Sequence, residues 1–273
     1  AYGAAWFFAD FFKKEGAKML AVERKNYILG LLQTEKRVVV AELAKTFDVS
    51  EETIRRDLDK LEREGLVQKS YGGAVLNDAA QSDMPLSVRK RTNVEGKQKI
   101  AELLAEYIPD NSSLMLDSSS TALFIVKRIK DRKNMVIITN SLEILVELKD
   151  KKNWKIFSSG GQLGEDSLAL CGSQADKMLS SFHVGAAIIS CKGFDINKGF
   201  TDSNDMHAST KRTMLENCDK RILAVDSSKF NRIAFNVVGG LNDIDVLVTD
   251  VMPPEEWLEK FAQCNVECIY PKG

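Results

Sequence analysis

The chain has 273 residues, of which 44% are hydrophobic and 28% charged, a balance that excludes wholesale disorder. Its 38 Lys and Arg residues are balanced by 39 Asp and Glu residues, so any nucleic-acid-binding surface must be local. Five cysteines without a Cys-x-x-Cys pair argue against a disulfide framework and indicate a reduced, cytoplasmic location. No apolar run approaches the roughly 20 residues of a membrane helix.

Residues 1–18 do not fit the pattern that follows them. They begin with apolar residues but are soon interrupted by Asp10, Lys13 and Lys14, which makes a poor secretory signal. Met19 opens a well-patterned segment. We interpret residues 1–18 as an appendage outside the fold, such as an expression tag; a short amphipathic helix is the alternative interpretation.

Residues 19–77 predict a small winged helix-turn-helix domain, with two helices, a turn, a third helix and a hairpin. Ser50 is placed to cap the third helix, whose core face carries Ile54, Leu58 and Leu61 at helical spacing. Its opposite face carries polar side chains, namely Thr53, Arg56, Lys60 and Arg63, with Arg55 at the side. Such a face suits a recognition helix, since Arg binds guanine edges and Lys neutralises phosphates. The alternative is an ordinary solvated helix face.

The segment 78–92 is polar and small at its start and predicts a linker. Beyond it, residues 93–273 change to short apolar runs that end abruptly in polar residues. This pattern predicts an α/β domain with a mainly parallel, buried sheet. The polar groups that follow the runs are Asp117–Thr121, Thr139–Ser141, Ser158–Gly161, Asp226–Lys229 and Thr249-Asp250.

Ligands of open parallel sheets bind at the carboxyl ends of the strands, so these polar groups predict a small-molecule site. Hydroxyl and N–H groups at the start of a helix after Asp117 suit a phosphate. Asp117 and Asn140 suit sugar hydroxyls, and Lys229 supplies a counter-charge. For each residue taken singly, helix capping is the alternative role.

Two sets of motifs resemble the DeoR family of bacterial transcriptional regulators. Val49–Leu58, with Gly65–Val67 and Tyr71–Ala74, is similar to the family's DNA-binding signature, although Tyr71 stands where His is commoner. The second set is similar to the family's sugar-phosphate sensor domain. It comprises Ser87–Arg89, Lys97–Ala101, Asp117–Thr121, Thr139–Ser141, Gly160-Gly161, Gly199–Thr201 and Asp226–Phe230.

The resemblance implies a regulator, in the first place a repressor, of a sugar-catabolism operon under the control of a phosphorylated sugar. It implies operator duplex DNA as a partner, a homo-oligomer (dimer or tetramer), and neither cofactor nor metal. The expected DNA contacts are Ser50, Thr53, Arg55, Arg56, Lys60, Lys69, Tyr71 and Gly72. The expected effector contacts are Asp117, Ser118, Ser119, Ser120, Thr121, Thr139, Asn140, Gly160, Gly161, Asp195, Lys211, Asp226 and Lys229.

One departure from the family pattern concerns the phosphate loop. The usual Asp-Ser-Gly-Thr-Thr reads Asp-Ser-Ser-Ser-Thr here. Ser119 in place of Gly requires a backbone that avoids positive φ, and it leaves the identity of the effector open.

The sensor domain also resembles ribose-5-phosphate isomerase and the coenzyme A transferases in fold, so an isomerase-like enzyme with a vestigial helix-turn-helix is the alternative function. The isomerases carry a Glu base within Arg-Glu-Lys, whereas the matching stretch Ala208–Arg212 has no acid. Neither His183 nor His207 has an obvious nucleophile partner. Cys264 and Cys268 lack further metal ligands. We therefore expect a binding domain without catalytic residues.

Overall fold

The computed structural model describes residues 20–64, 66–76, 85–164 and 167–272, so the predicted appendage 1–18 lies outside the described residues. The described residues form two compact units, divided between Thr92 and Asn93. Within the described ranges, no helix is both long and apolar enough to cross a membrane.

The first unit has the predicted order of a winged helix-turn-helix. Its elements are α1 (Ala21–Glu35), β1 (Arg37–Val39), α2 (Val40–Phe47), α3 (Glu51–Arg63), β2 (Val67–Ser70), β3 (Gly73–Leu76) and α4 (Leu86–Arg89). The strands pair antiparallel in the order β1-β3-β2. The hairpin turns at Tyr71 and Gly72, and the positive φ of Gly72, 78°, is readily adopted only by glycine.

Helix α3 begins where the sequence predicted it. Ser50 has extended backbone angles, and its hydroxyl accepts the Thr53 N–H at 3.2 Å, which satisfies an N–H that the helix leaves unpaired. Ile54, Leu58 and Leu61 are buried in the core of the unit. The core face of this helix is therefore the predicted one.

A buried ion pair joins α3 to α1. Arg24 Nε donates to Asp57 Oδ2 at 2.5 Å, and the two side chains are only 8% and 4% exposed. Because an unpaired charge is very costly in such a place, Arg24 and Asp57 fix how the two helices pack. The hydrophobic pattern alone did not predict this contact.

The predicted linker 78–92 contains ordered structure in its described part. Leu86 and Val88 of α4 are buried, and Val88 belongs to the core of the first unit. Residues 85–92 are therefore part of the small domain rather than a spacer. The polar composition of the preceding residues hid a helix of only four residues, which is too short to show a period.

The second unit is a three-layered α/β domain. Its sheet has the order β15-β14-β12-β9-β4-β5-β6, and each of its strand pairs is parallel. The strands are β4 (Ser113–Leu116), β5 (Val136–Thr139), β6 (Lys155–Ser158), β9 (Val184–Ile189), β12 (Cys218–Ala224), β14 (Val246–Val248) and β15 (Glu267–Ile269). The helices are α5 (Val94–Tyr107), α6 (Ser120–Arg128), α7 (Leu142–Leu148), α8 (Ser173–Leu179), α9 (Asp205–Glu216) and α10 (Glu255–Gln263).

Two hydrophobic cores, one on each face, bury this sheet, as parallel topology requires. In one of them Trp257, at the start of α10, packs its ring 4.7 Å from the rings of both Phe194 and Phe230. The final helix is therefore a core helix. Smaller sheets complete the unit: β7 (Gln162–Leu163) pairs with β8 (Leu170–Cys171), and β10 (Gly193–Asp195), β11 (Gly199–Asp202) and β13 (Asn236–Gly239) pair antiparallel.

We predict that Asp57→Ala destabilises the first unit by about 3–5 kcal/mol, because it removes the buried carboxylate that the Arg24 guanidinium bonds at 2.5 Å. Hydrogen exchange at the amides of α1 and α3 measures this loss locally. Glu42→Ala, which removes an exposed acid of α2, is the matched control and should cost less than about 0.5 kcal/mol. Equal protection in the two variants would contradict the proposed importance of the pair.

Candidate functional site

The outer face of α3 is cationic and exposed. Arg55, Arg56, Lys60 and Arg63 all lie on the surface, whereas Thr53 is half-buried beside Ser50, with 3.0 Å between their hydroxyl oxygens. This face presents guanidinium and ammonium groups on a rigid helix, which is what major-groove recognition requires.

Both of the predicted reading arginines form ion pairs within the helix. Arg55 binds Glu51 at 2.7 Å and Arg56 binds Glu52 at 3.3 Å, and each is four residues from its partner. Arg56 and Glu52 are 74% and 63% exposed. Exposed pairs of this kind contribute only about 0–1 kcal/mol, so a DNA phosphate or a base can displace the glutamates at little cost.

In the wing, the predicted DNA contact Lys69 has internal partners. Its ammonium binds Asp59 of α3 at 2.5 Å and lies 3.8 Å from Glu62, and the hydrogen bond to Asp59 raises the pKa of Lys69. Lys69 therefore ties the wing to α3, a contact between distant residues that the sequence did not reveal. Tyr71 at the tip is fully exposed, in a position to reach a ligand.

In the second unit, the parallel sheet brings the predicted polar groups to one edge. Leu116 of β4 lies in register with Thr139 of β5, and Thr139 with Ser158 of β6. Asp117 and Asn140 therefore follow neighbouring strands, only about 5 Å apart in the sheet. The group at Asp226 follows β12 on the other side of β9. The convergence predicted from the sequence is present in the structure.

A buried ion cluster lies at the centre of this edge. The ammonium of Lys211, on α9, donates to Asp202 Oδ2 at 2.5 Å and to the Ser190 carbonyl oxygen at 2.7 Å, and it lies 3.3 Å from Asp117 Oδ2. The Asp117 carboxylate also accepts the N–H groups of Ser119 and Ser190, at 3.1 and 2.9 Å.

The electrostatics of the cluster depend on its ion pairs. Burial alone would raise the pKa of the Asp202 carboxyl, but the ammonium groups of Lys211 and Lys192 hold that pKa at about 2. Burial also opposes the charge on Lys211, yet Asp202 and Asp117 raise the pKa of its ammonium above the ordinary value. Asp202 and Lys211 are therefore both charged at neutral pH.

Two of the expected effector contacts have internal partners in this structure. Lys211 was expected to contact an anion, and Asp117 a sugar hydroxyl. Both are buried, at 7% and 1% exposure, and their polar atoms are engaged with one another and with backbone. Their role in this structure is to lock the strand ends together. The sequence showed that they lie near the edge but not that they pair.

Four other expected effector contacts also form internal hydrogen bonds. Thr139 donates to the Leu116 carbonyl at 2.7 Å and accepts from Ser141 N–H. The Ser119 hydroxyl caps α6 by accepting from Ala122 N–H at 3.0 Å. Ser119 has φ −76°, so this serine avoids positive φ, as its replacement of glycine requires.

Asp195 and Asp226 are the other two expected effector contacts that form internal hydrogen bonds. Asp195 accepts two N–H groups of the turn between β10 and β11, and within the described part of the chain no hydrogen bond or ion pair joins it to the strand ends. Asp226 accepts from Ser228 N–H at 3.1 Å. Burial would raise the pKa of Asp226, but Lys229 and Lys97 hold it below its usual range.

Several predicted groups keep unused hydrogen-bonding capacity. Asn140 is 2% exposed, and its Oδ1 has no hydrogen-bond partner among the described residues. Its Nδ2 lies 3.8 Å from Cys171 Sγ. The Ser118, Ser120 and Thr121 hydroxyls, together with the Lys229 ammonium, make no hydrogen bond or ion pair within the same ranges.

Glycine is required at one position of this edge. Gly161 has φ 103°, and a Cβ there would lie 2.6 Å from the Cys171 carbonyl oxygen, closer than any side chain tolerates. Gly160 has φ 60° and faces open space. Gly161 thus lets the chain after β6 pass close to β8, and Gly160 leaves open space beside its own backbone.

Sequence reasoning missed several residues of the site. Lys97 of α5 is buried at 4% exposure and lowers the pKa of Asp226; its place in a family-like motif was a signal. Asp202 directly follows the quoted Gly199–Thr201 and was a further signal. His207 Nδ1 lies 3.6 Å from Cys171 Sγ, a contact across two elements that no local pattern shows. The described residues contain no group of His, Cys, Asp and Glu fit for a metal.

We predict that Lys211→Met destabilises the second unit at pH 7 by about 3–5 kcal/mol, because it removes the buried cation that two buried carboxylates share. Without Lys211 the pKa of Asp202 rises above its unfolded value of about 3.9. A carboxyl group whose pKa is higher in the folded than in the unfolded state stabilises the fold at a pH below its unfolded-state pKa. That stabilisation is lost as the pH rises through its folded-state pKa. The deficit relative to wild type should therefore shrink from pH 7 to pH 5.

Urea unfolding at the two pH values measures this deficit, with Lys177→Met, at an exposed site, as the control. In the wild type the Asp202 pKa of about 2 is depressed, so its contribution is present above pH 4 and is lost only as the pH falls towards 2. A deficit that is equal at pH 5 and pH 7 would refute the electrostatic account.

Two family models match the chain. The DeoR-like helix-turn-helix domain matches residues 24–80, and the DeoR C terminal sensor domain matches residues 92–251. Among solved structures, ribose 5-phosphate isomerase A from Methanocaldococcus jannaschii aligns with 49% of this chain and 53% of that chain, at 15% identity and a TM-score of 0.36. A similarity this weak does not bear on function.

Whole-chain relatives are also regulators. The chain is 40% identical to the HTH-type transcriptional regulator YulB of Bacillus subtilis over 85% of this chain and 90% of that protein. It is 32% identical to the glycerol-3-phosphate regulon repressor of Escherichia coli, over 91% and 98%. It is 32% identical to the L-fucose operon activator of Haemophilus influenzae, over 88% and 96%. The chain, with its helix-turn-helix unit and its α/β sensor unit, belongs to the DeoR family of DNA-binding transcriptional regulators.

Proposed function

We propose that this protein is a cytoplasmic repressor of a sugar-catabolism operon and that a phosphorylated sugar, bound in the second unit, controls its hold on operator DNA. The names of relatives support the substrate class, since they include regulators of glycerol-3-phosphate and L-fucose genes. In this proposal the outer face of α3 reads the operator in the major groove, with the tip of the wing at the phosphates.

The observation that carries the effector proposal is the buried side-chain oxygen of Asn140, Oδ1, which has no hydrogen-bond partner among the described residues. Leaving a buried acceptor unpaired costs about 1–3 kcal/mol, and a sugar hydroxyl would remove that cost by donating to it. Ser118, Ser120 and Thr121 on the neighbouring loop add hydroxyls of their own.

The phosphate would bind at the start of α6. The N–H groups in the first turn of a helix carry partial positive charge and bind anions, and the amides of Ser120 and Thr121 have no acceptor among the described residues. Lys229 supplies a nearby cation at the end of β12. The residues proposed to contact the effector are thus Ser118, Ser120, Thr121, Asn140, Gly160, Gly161 and Lys229.

We further propose that the protein acts as a homo-oligomer. One helix-turn-helix reads only a short half-site, and two copies multiply specificity through the spacing of the half-sites. The effector then acts by binding one arrangement of the copies more tightly than the other, because differential affinity is what shifts such an equilibrium.

We predict that Arg56→Ala weakens binding to the upstream operator by about 1–3 kcal/mol, because one guanidinium contact to a base edge is lost. Fluorescence anisotropy at near-physiological salt measures the Kd, and Lys177→Ala controls for the loss of one positive charge. Glu52→Gln should do the opposite and strengthen binding, since it releases Arg56. Wild-type affinity in Arg56→Ala would exclude a reading role for this residue.

We predict that Asn140→Ala weakens the response to the effector while operator binding persists. Titration of the DNA complex with a panel of sugar phosphates first identifies the compound that shifts the wild-type Kd at least several-fold; the variant should then need at least about tenfold more of it, for one lost buried hydrogen bond. Ser173→Ala, on the exposed start of α8, is the control. Turnover of a sugar phosphate, abolished in Lys229→Ala, would instead favour the isomerase-like alternative.

A further inference from the structure

Two loops at the amino edge of the parallel sheet are strongly basic. Residues 127–134 lead from α6 into β5, and residues 149–155 lead from α7 into β6. Together they contain nine Lys and Arg residues and two Asp residues, in a chain whose overall net charge is −1. We call these fifteen residues the basic loop pair. It lies at the edge of the sheet opposite to the proposed effector contacts.

Side-chain contacts hold the basic loop pair in one shape. Trp154 Nε1 donates to the Arg132 carbonyl at 2.9 Å, and the Lys151 ammonium lies 5.5 Å from the centre of the Trp154 ring. Lys151 also donates to the Lys130 carbonyl, and Arg132 to the Ala105 carbonyl at the end of α5. The loops enclose a shallow cleft of about 530 Å³. The surface is therefore preorganised rather than a set of independent side chains.

Ordinary structural roles account for some of these cations. Lys127 and Lys130 pair with Glu147. Lys127 and Arg128 also lie in the last turn of α6, where positive charge is favourable. Two acids, Asp131 and Asp150, line the cleft. These roles explain the cations of the basic loop pair that lie nearest to α6.

Three of the remaining cations have no such explanation. Lys133, Lys152 and Lys155 lie beyond the helix ends and are exposed, and their ammonium groups make no hydrogen bond or ion pair with the described residues. Lysines that repel one another on a preorganised surface destabilise it slightly, and a polyanion would remove that repulsion.

We propose that the basic loop pair is a second DNA-binding surface of this protein, which contacts phosphates of the duplex without reading their sequence. Duplex DNA is favoured among polyanions because the first unit already binds it. Since both units belong to one chain, bound DNA is present at high effective concentration for a second surface. The inference extends the proposed operator binding and does not depend on the effector.

The test uses the full chain and compares two triple variants. Lys133→Gln/Lys152→Gln/Lys155→Gln removes the unexplained cations, and Lys177→Gln/Lys198→Gln/Lys272→Gln removes three exposed lysines elsewhere. Anisotropy measures the Kd for an unrelated duplex and for the operator with its natural flanks, at several salt concentrations. Circular dichroism melts verify that both variants fold.

We expect the slope of log Kd against log salt to fall by about 2–3 in the first variant, since each lost phosphate contact removes about 0.9 from it. Its Kd should rise at least about tenfold on both duplexes at low salt, whereas the control should stay near wild type. Equal slopes in the two variants would overturn the inference. If the wild-type protein bound the operator no more tightly than the unrelated duplex, the proposed function would be refuted. A difference in slope between the two triple variants on the unrelated duplex would still support the second DNA-binding surface.

Discussion

The carboxyl edge of the sheet depends on the ion cluster around Lys211. Its ammonium joins Asp202 at the end of β11, Asp117 at the end of β4 and the backbone at the end of β9. Three charges buried together are tolerated because each has a close partner of opposite sign and further hydrogen bonds. The cluster holds the strand ends in fixed positions, so that nearby groups such as Asn140 Oδ1 are preorganised for the contacts proposed above.

The sequence predicted the fold better than it predicted the roles of side chains. Runs such as Leu114–Leu116 and Val246–Val248 became strands because a continuous apolar stretch has to be buried on both faces. The central strand β9, Val184–Ile189, was missed. It contains Gly185 and two alanines and is followed by Ser190-Cys191, so small residues interrupt its apolar run and a single polar residue follows it.

Side-chain partners could not be predicted where they lie far away in sequence. Asp117 bonds to Ser190, 73 residues later, and Lys69 of the wing pairs with Asp59 on α3. Period and spacing show that a residue reaches an edge or a surface, but not which group it meets there. Ser50 and Ser119 were easier to place, because a cap bonds within its own first turn.

Burial decides which charges of the DNA-binding unit are free to exchange partners. Asp57 and Arg24 lie inside, where separating them would leave a charge without water, so the pair fixes α3 against α1. One residue earlier, Arg56 pairs with Glu52 on the outside, where water supports either group alone. The same chemistry therefore acts as a structural lock on the inner face and as an exchangeable contact on the outer face. Of two neighbouring residues in α3, Asp57 thus fixes the packing of the helix, while Arg56 can exchange its partner.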